Sequence, residues 1–252
     1  MTTITTITTN TTVGEIVRAV PACARAFEKL GIDYCCGGKK TLAEACRAKG
    51  LDAPTVVGML SAFDAAPGAG LTNAEAMSVA ELCDHIQRTH HDYLRAELPR
   101  LDFMTRKVAA VHGEHEPRLR EVRRVFEAFS AAMIAHTNEE EATVFPALRH
   151  LGTAGRSSAA TTRASLRQGL AKLEREHEAA GAVLERFRAL TDNYTAPEWA
   201  CNTFRTLYDG LATLERDMHQ NVHKENNVLF PKALAAAGSE TTASAPAPLP
   251  TA

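Results

Sequence analysis

A chain of 252 residues with 45% hydrophobic content can bury a core of domain size and is long enough for more than one domain. Its net charge of -2 and pI near 6.6 give no reason to expect a polyanion, so nucleic acid is not an expected partner. Neither a secretory signal nor a run of about 18 apolar residues is present, which points to a soluble cytoplasmic protein with no membrane partner. The six cysteines, two of them adjacent, read as reduced thiols and not as a disulfide framework.

The first 65 or so residues read as short helices. Residues 1–12, mostly threonine, are expected to be disordered. Apolar spacing over residues 13–30 is helical, with Pro21 opening a second short helix and Gly31 stopping it. The turn-rich loop Asp33, Tyr34, Cys35, Cys36, Gly37, Gly38, Lys39, Lys40 follows. Thr41 and Glu44 have capping-box spacing for a helix to about Lys49, and another helix runs from Pro54 to about Asp64. This small helical domain covers residues 13–65, and residues 66–77 read as a linker.

Four long helices should fill residues 78–237. Ser78 and Glu81 form a second capping box, opening a helix with Leu82, Ile86, Leu94, Leu98 and Leu101 as core positions, which Pro99 should bend or break. A second helix runs from near Pro117 to about His150, a third from about Arg163 to Leu190, and a fourth from about Pro197 past Pro231. Residues 238–252, rich in alanine and proline, should be disordered. Strand-type alternation is nearly absent, so the expected fold is all-α: a small N-terminal helical domain followed by an antiparallel four-helix bundle.

One pattern occurs twice. Glu140 stands four residues after His136 and is followed five and six residues later by Phe145 and Pro146; Glu225 stands four residues after Asn221 and is followed at the same intervals by Phe230 and Pro231. On a helix, positions four apart share a face, which is metal-ligand spacing. His91 lies 45 residues before His136, and His177 lies 44 residues before Asn221. Imidazoles and carboxylates at matching places on four helices point to a metal site in a bundle core, where unpartnered glutamates would otherwise cost several kcal/mol each. Nitrogen and oxygen donors suit redox iron, and also manganese or zinc.

Two points stay open on spacing alone. Helical phase does not decide between His90 and His91. Position 221 offers a weak oxygen ligand or a gap, because His219 and His223 are each about 200° away around the helix. His85, His90, His112, His115, His150, His219 and His223 lack a repeat partner on the same face. Cys35 and Cys36 followed by two glycines read either as a pair in which a lowered pKa makes one thiol reactive or as two half-buried apolar cysteines in a tight turn.

The strings Asp33-Tyr34-Cys35-Cys36-Gly37-Gly38 and Glu225-Asn226-Asn227-Val228-Leu229-Phe230-Pro231, with His136, Glu140, Phe145 and Pro146, closely resemble the RIC family (repair of iron centres) over residues 13 to 236. The resemblance implies a hemerythrin-like bundle holding two non-haem iron ions with an oxo or hydroxo bridge. Its ligands would be His91, His136 and His177, with Glu140 and Glu225 as bridging carboxylates. The remaining histidine ligand of the family falls on Asn221. The implied function is repair of iron-sulfur clusters damaged by nitric oxide or oxidants, through iron donation or NO chemistry, with Cys35 and Cys36 receiving iron or NO. Damaged iron-sulfur proteins, NO and O2 are then the expected partners, and a homodimer is compatible with this reading. The alternative is a module that binds O2 or NO reversibly, or sequesters NO, without repair.

Overall fold

The computed structural model describes residues 7–64, 74–150 and 159–239. The expected linker core, the loop after His150 and both chain ends beyond these limits lie outside the described residues.

Within 7–64, four short helices surround one apolar cluster: α1 (Val13–Ala19), α2 (Cys23–Leu30), α3 (Leu42–Ala48) and α4 (Ala53–Asp64). Capping boxes open α1 at Thr12 with Glu15 and α3 at Thr41 with Glu44. Gly31, at φ 65°, closes α2 in the left-handed region that glycine tolerates best. Residues 7–12 depart from the expected disorder. The Thr11 and Thr9 carbonyls accept from the Leu42 and Ala43 amides, so this threonine stretch is tied to the start of α3.

The bundle follows, with α5 (Val79–Ile86), α6 (Asp92–His112), α7 (Arg118–Glu139), α8 (Phe145–His150), α9 (Ala159–Leu190), α10 (Asn202–Lys224) and α11 (Phe230–Ser239). The rod α6 packs on α7 and α10, and α9 packs on α7 and α10, which closes the four-sided bundle. Among the described residues none belongs to a β-strand. Pro99 does not interrupt α6. It lies on the exposed side, where water can satisfy the carbonyl that its missing N–H leaves free.

The interruptions come elsewhere. Wide π-type turns occupy Gln87–His91, Glu140–Val144 and Glu225–Leu229, each closed by a bond to the amide five residues on: Asp92 to Gln87, Phe145 to Glu140, Phe230 to Glu225. Such a turn inserts one residue into a helix, and it is enriched at functional sites. Here it accounts for the repeated Phe-Pro. Phenylalanine supplies the N–H that closes the wide turn, and proline, which has none, follows where the hydrogen-bond register is already broken.

Two apolar layers stack along the bundle. One holds Leu94, Leu98, Phe126, Met133, Leu184 and Met218; the other holds Ile86, Phe145, Leu148, Leu173, Leu229 and Phe230. Fully burying each such side chain contributes about 1.5–3 kcal/mol. On every rod the polar residues of the repeat fall between these layers, so the site is flanked by dry packing on both sides.

Candidate metal centre

His91 ends the first wide turn, Glu140 and Glu225 begin the other two, and His177 sits in the uninterrupted α9. The antiparallel run of α6 and α7 brings His91, at the start of one, level with His136, near the end of the other. His91, Glu140 and Glu225 have no exposed surface, and His177 and Asn221 are buried almost as completely.

Donor atoms of His136, Glu140, His177 and Glu225 all lie within 4.8 Å of one another. His91 joins them through both carboxylates, its Nε2 standing 3.3 Å from Glu140 Oε2 and 3.8 Å from Glu225 Oε1. His136 Nε2 is 3.5 Å from Glu140 Oε2, and His177 Nε2 is 3.0 Å from Glu225 Oε2. Two donors bound to one cation at about 2.1 Å each can be up to about 4.2 Å apart, so these spacings suit a shared ion.

The fit does not rest on distance alone. His91 Nε2, both oxygens of Glu140, Glu225 Oε2 and Asn221 Oδ1 are buried without a hydrogen-bond partner. Five orphaned donors and acceptors around one point would be costly in a purely structural core, and a divalent cation would satisfy them. Burial opposes a charged imidazole at His91 and His177, yet Glu140 and Glu225 overcome it, pushing His91 up to about 10 and His177 up to about 9. Burial and the nearby Glu225 charge push the Glu140 carboxyl up. Burial acts on Glu225 in the same direction, but His177 and His91 outweigh it and hold that carboxyl low. The carboxylates thus draw positive charge to the centre of the site.

The outer nitrogens of the imidazoles are fixed by residues that spacing alone did not single out. His91 Nδ1 pairs with Glu141 Oε1 at 2.8 Å, His136 Nδ1 with Glu176 Oε2 at 2.7 Å, and His177 Nδ1 with Asn226 Oδ1 at 2.8 Å. Such partners set the tautomer and aim Nε2 inward. Their signal was adjacency: each stands next to a ligand-type residue in sequence. Phe145 stacks on His91 and Phe230 on His177, with interplanar angles of 14° and 8°.

The ambiguity at His90 and His91 is resolved by the wide turn, which buries both but sends them apart. His90 bonds Asp217 and Lys224, away from the centre. Asn221 faces the centre; its Nδ2 donates to Glu225 Oε1 at 3.1 Å. His219 and His223 turn to Tyr34 of the small domain. His112 and His115 lie against Trp199, and His150 bonds the Pro146 carbonyl.

Cys35 and Cys36 are not part of this constellation. Their loop docks on the bundle through Asn227, whose Nδ2 donates to the Cys35 carbonyl at 3.0 Å, and through His223 beside the Tyr34 carbonyl. The two sulfurs are 4.0 Å apart and unbridged. Contrary to the lowered pKa considered from the glycines, the Cys35 thiol is pushed well up by its contact with Cys36, by burial and by the Asp33 carboxylate. Asp33, Cys35 and Cys36 nevertheless offer three converging donors, a second place where a cation could bind.

A helical bundle with buried imidazoles and carboxylates between its rods is a hemerythrin-type architecture. The hemerythrin HHE cation-binding domain family matches residues 84–233, and the ScdA N-terminal domain, described as a domain of unknown function, matches residues 9–64. The chain is 34% identical over 226 residues to the iron-sulfur cluster repair protein ScdA of Staphylococcus haemolyticus, covering 90% of this chain and 99% of that protein. It is 33% identical over 225 residues to the iron-sulfur cluster repair protein YtfE of Yersinia pseudotuberculosis, covering 89% and 97%. The chain therefore belongs to the ScdA and YtfE family, as its motifs led us to expect.

Proposed function

We propose that this protein repairs iron-sulfur clusters, the activity in the names of its relatives, and that the clusters it restores are cytoplasmic ones damaged by nitric oxide or oxidants. The observation that carries this reading is the pair of buried carboxylates, Glu140 and Glu225, with three of their four oxygens unpartnered among His91, His136 and His177. Two non-haem irons shared by these carboxylates would supply redox electrons and open coordination positions for NO or O2.

The residues of the chain determine what such a site can do. Glu141, Glu176 and Asn226 hold the imidazoles in place, while Glu140 has no other hydrogen bond and Glu225 only the one from Asn221, which leaves both carboxylates able to change their mode of binding. Asn221 offers one neutral oxygen where its repeat partner offers an imidazole, so an iron on the His177 side would be the more weakly held and the better suited to delivery. Cys35 and Cys36 would receive iron or NO, and Cys35 must give up its proton when it takes a metal. Among the described residues no helix is long and apolar enough to cross a membrane.

The test is a reconstituted mixture. A cluster enzyme inactivated by NO should regain activity with the iron-loaded protein under anaerobic conditions and not with the Glu140→Ala variant. Equal recovery with both would overturn the proposal. One feature favours the alternative of reversible gas binding: a groove of about 540 Å³, lined by Ala128, Ala132, Met133, Ala179 and Val183, reaches His136. Reversible oxygenation spectra with no cluster recovery would decide for that reading.

A further inference from the structure

A second polar centre lies at the junction of the small domain and the bundle. A cavity of about 270 Å³ is walled by Val17, Arg18, Ala24 and Arg25 on one side and by His85, His223, Lys224 and Val228 on the other. That is the volume of about nine liquid water molecules, enough for a small organic molecule. Neither the cation-centre residues nor Cys35 and Cys36 line it.

Its charges are unbalanced, with Arg18, Arg25 and Lys224 set against the single carboxylate of Glu75. Lys224 Nζ donates to His90 Nε2 at 2.7 Å and to His85 Nε2 at 3.0 Å, both neutral acceptors in this role, while His90 Nδ1 is turned to Asp217. Two of the three ammonium donors are thereby used, and the group still lines the cavity. Among the described residues neither Lys224 nor Arg25 has a carboxylate within 4.0 Å, whereas Arg18 is 3.7 Å from Glu75. Asp217, reached through His90, and Glu225 favour the half-buried Lys224 ammonium without touching it, and an anion entering the cavity would supply the direct counter-charge. Apart from Thr89, Gln220 and His223, the remaining walls are apolar, with Val17, Pro21, Ala24, Val228 and the ring of Tyr34. A fully hydrated inorganic anion would leave that surface uncovered.

We infer that this cavity binds a small organic carboxylate, its head on Lys224 with Arg25 at the mouth and its apolar body against Val17, Ala24 and Val228. Because α1 and α2 provide one wall and α10 the other, the ligand clamps the small domain to the bundle. The inference stands on the cavity and not on cluster repair, so its failure would leave the proposed function untouched.

The experiment uses the full chain, iron-loaded and metal-stripped, titrated with butyrate and benzoate and with the neutral butyramide and benzamide. We expect saturable binding of at least one carboxylate, at least about tenfold tighter than its amide, or about 1.4 kcal/mol. The iron spectrum should not change, and amide hydrogen exchange in α1 and α2 should slow. Lys224→Gln should weaken binding about tenfold and Arg25→Gln severalfold. Carboxylates no tighter than amides, inorganic phosphate as tight as the better carboxylate, binding that appears only as a change at iron, or affinity unmoved by both variants would each overturn the assignment. Should Lys224→Gln fail to fold by circular dichroism, Arg25→Gln at the exposed mouth and the amide comparison decide.

Discussion

The first half of the metal centre lays His91 under the ring of Phe145 and brings a second imidazole, His136, from the turn before Glu140. The second half lays His177 under Phe230 and brings an amide, Asn221, from the turn before Glu225. The residue after each glutamate does the same task in both: Glu141 holds His91 and Asn226 holds His177. The halves part at one linked pair. His136 is oriented by Glu176, the residue before His177, and the matching place before His91 is His90, which bonds Asp217 and Lys224 instead. The second half thus lacks both the imidazole and the carboxylate that would aim it, while the wide turn, the Phe-Pro and the stacked ring are all retained. The packing framework and the donor set are separable.

Removing a shared carboxylate should break the comparison most severely. Glu140→Ala or Glu225→Ala is expected to abolish iron retention through gel filtration, since each glutamate faces histidines of both halves; full iron in either variant by metal analysis would show that the halves are independent. Next come the orienting groups. Glu176→Ala and Asn226→Ala should each weaken iron binding about 10–100-fold in a chelator competition, the first by freeing His136 and the second by freeing His177.

The repeat, the convergence of the donor residues on it and most helix starts were legible because they depend on residue type at short spacing: Ser78 with Glu81, Thr41 with Glu44, His136 with Glu140. The wide turns were not, because adding one residue to a helical turn changes no local composition. It only shifts the phase downstream, which is why His90 and His91 could not be told apart on an ideal helix. Pro99 misled for a related reason. Whether a proline breaks a helix depends on whether its orphaned carbonyl faces water, and this is settled by packing. The seating of the Cys35 loop on Asn227 joins positions 192 residues apart, a contact that carries no periodic signal.

Repairing the second half gives a sharper comparison. Asn221→His should tighten iron on the His177 side at least about tenfold, or about 1.4 kcal/mol, and adding His90→Glu should tighten it further by restoring the missing orienting carboxylate. No difference in iron count or spectrum between the parent and either variant would remove the distinction between the halves. Gly38→Ala probes what only the second half carries, the docking of the small domain: a methyl group there would overlap the Asn227 amide. We expect a loss of about 1–3 kcal/mol in thermal or denaturant unfolding.

The smallest effect lies at the helix starts. Glu15, Glu44 and Glu81 are held below their usual pKa of 4.5 by the hydroxyls and amides of Thr12, Thr41 and Ser78. A depressed folded-state pKa adds stability above the unfolded carboxylate range and loses it as pH falls through the folded value. The acid limb of the stability curve should therefore flatten slightly in Glu81→Gln, and an unchanged limb would show that this cap contributes nothing.

Three successive side chains of one wide turn reach three different places. Glu225 enters the metal centre, Asn226 grips the back of His177, and Asn227 fits against Gly14 and Gly38 beneath the cysteine loop. A helix of regular pitch would turn each of these by the same fixed step, whereas the loosened turn allows them to leave in separate directions. A shift of Glu225 on taking or releasing a cation would therefore reach, within two peptide units, the side chain that holds the Cys35 carbonyl, and would couple the candidate metal centre mechanically to the cysteine loop.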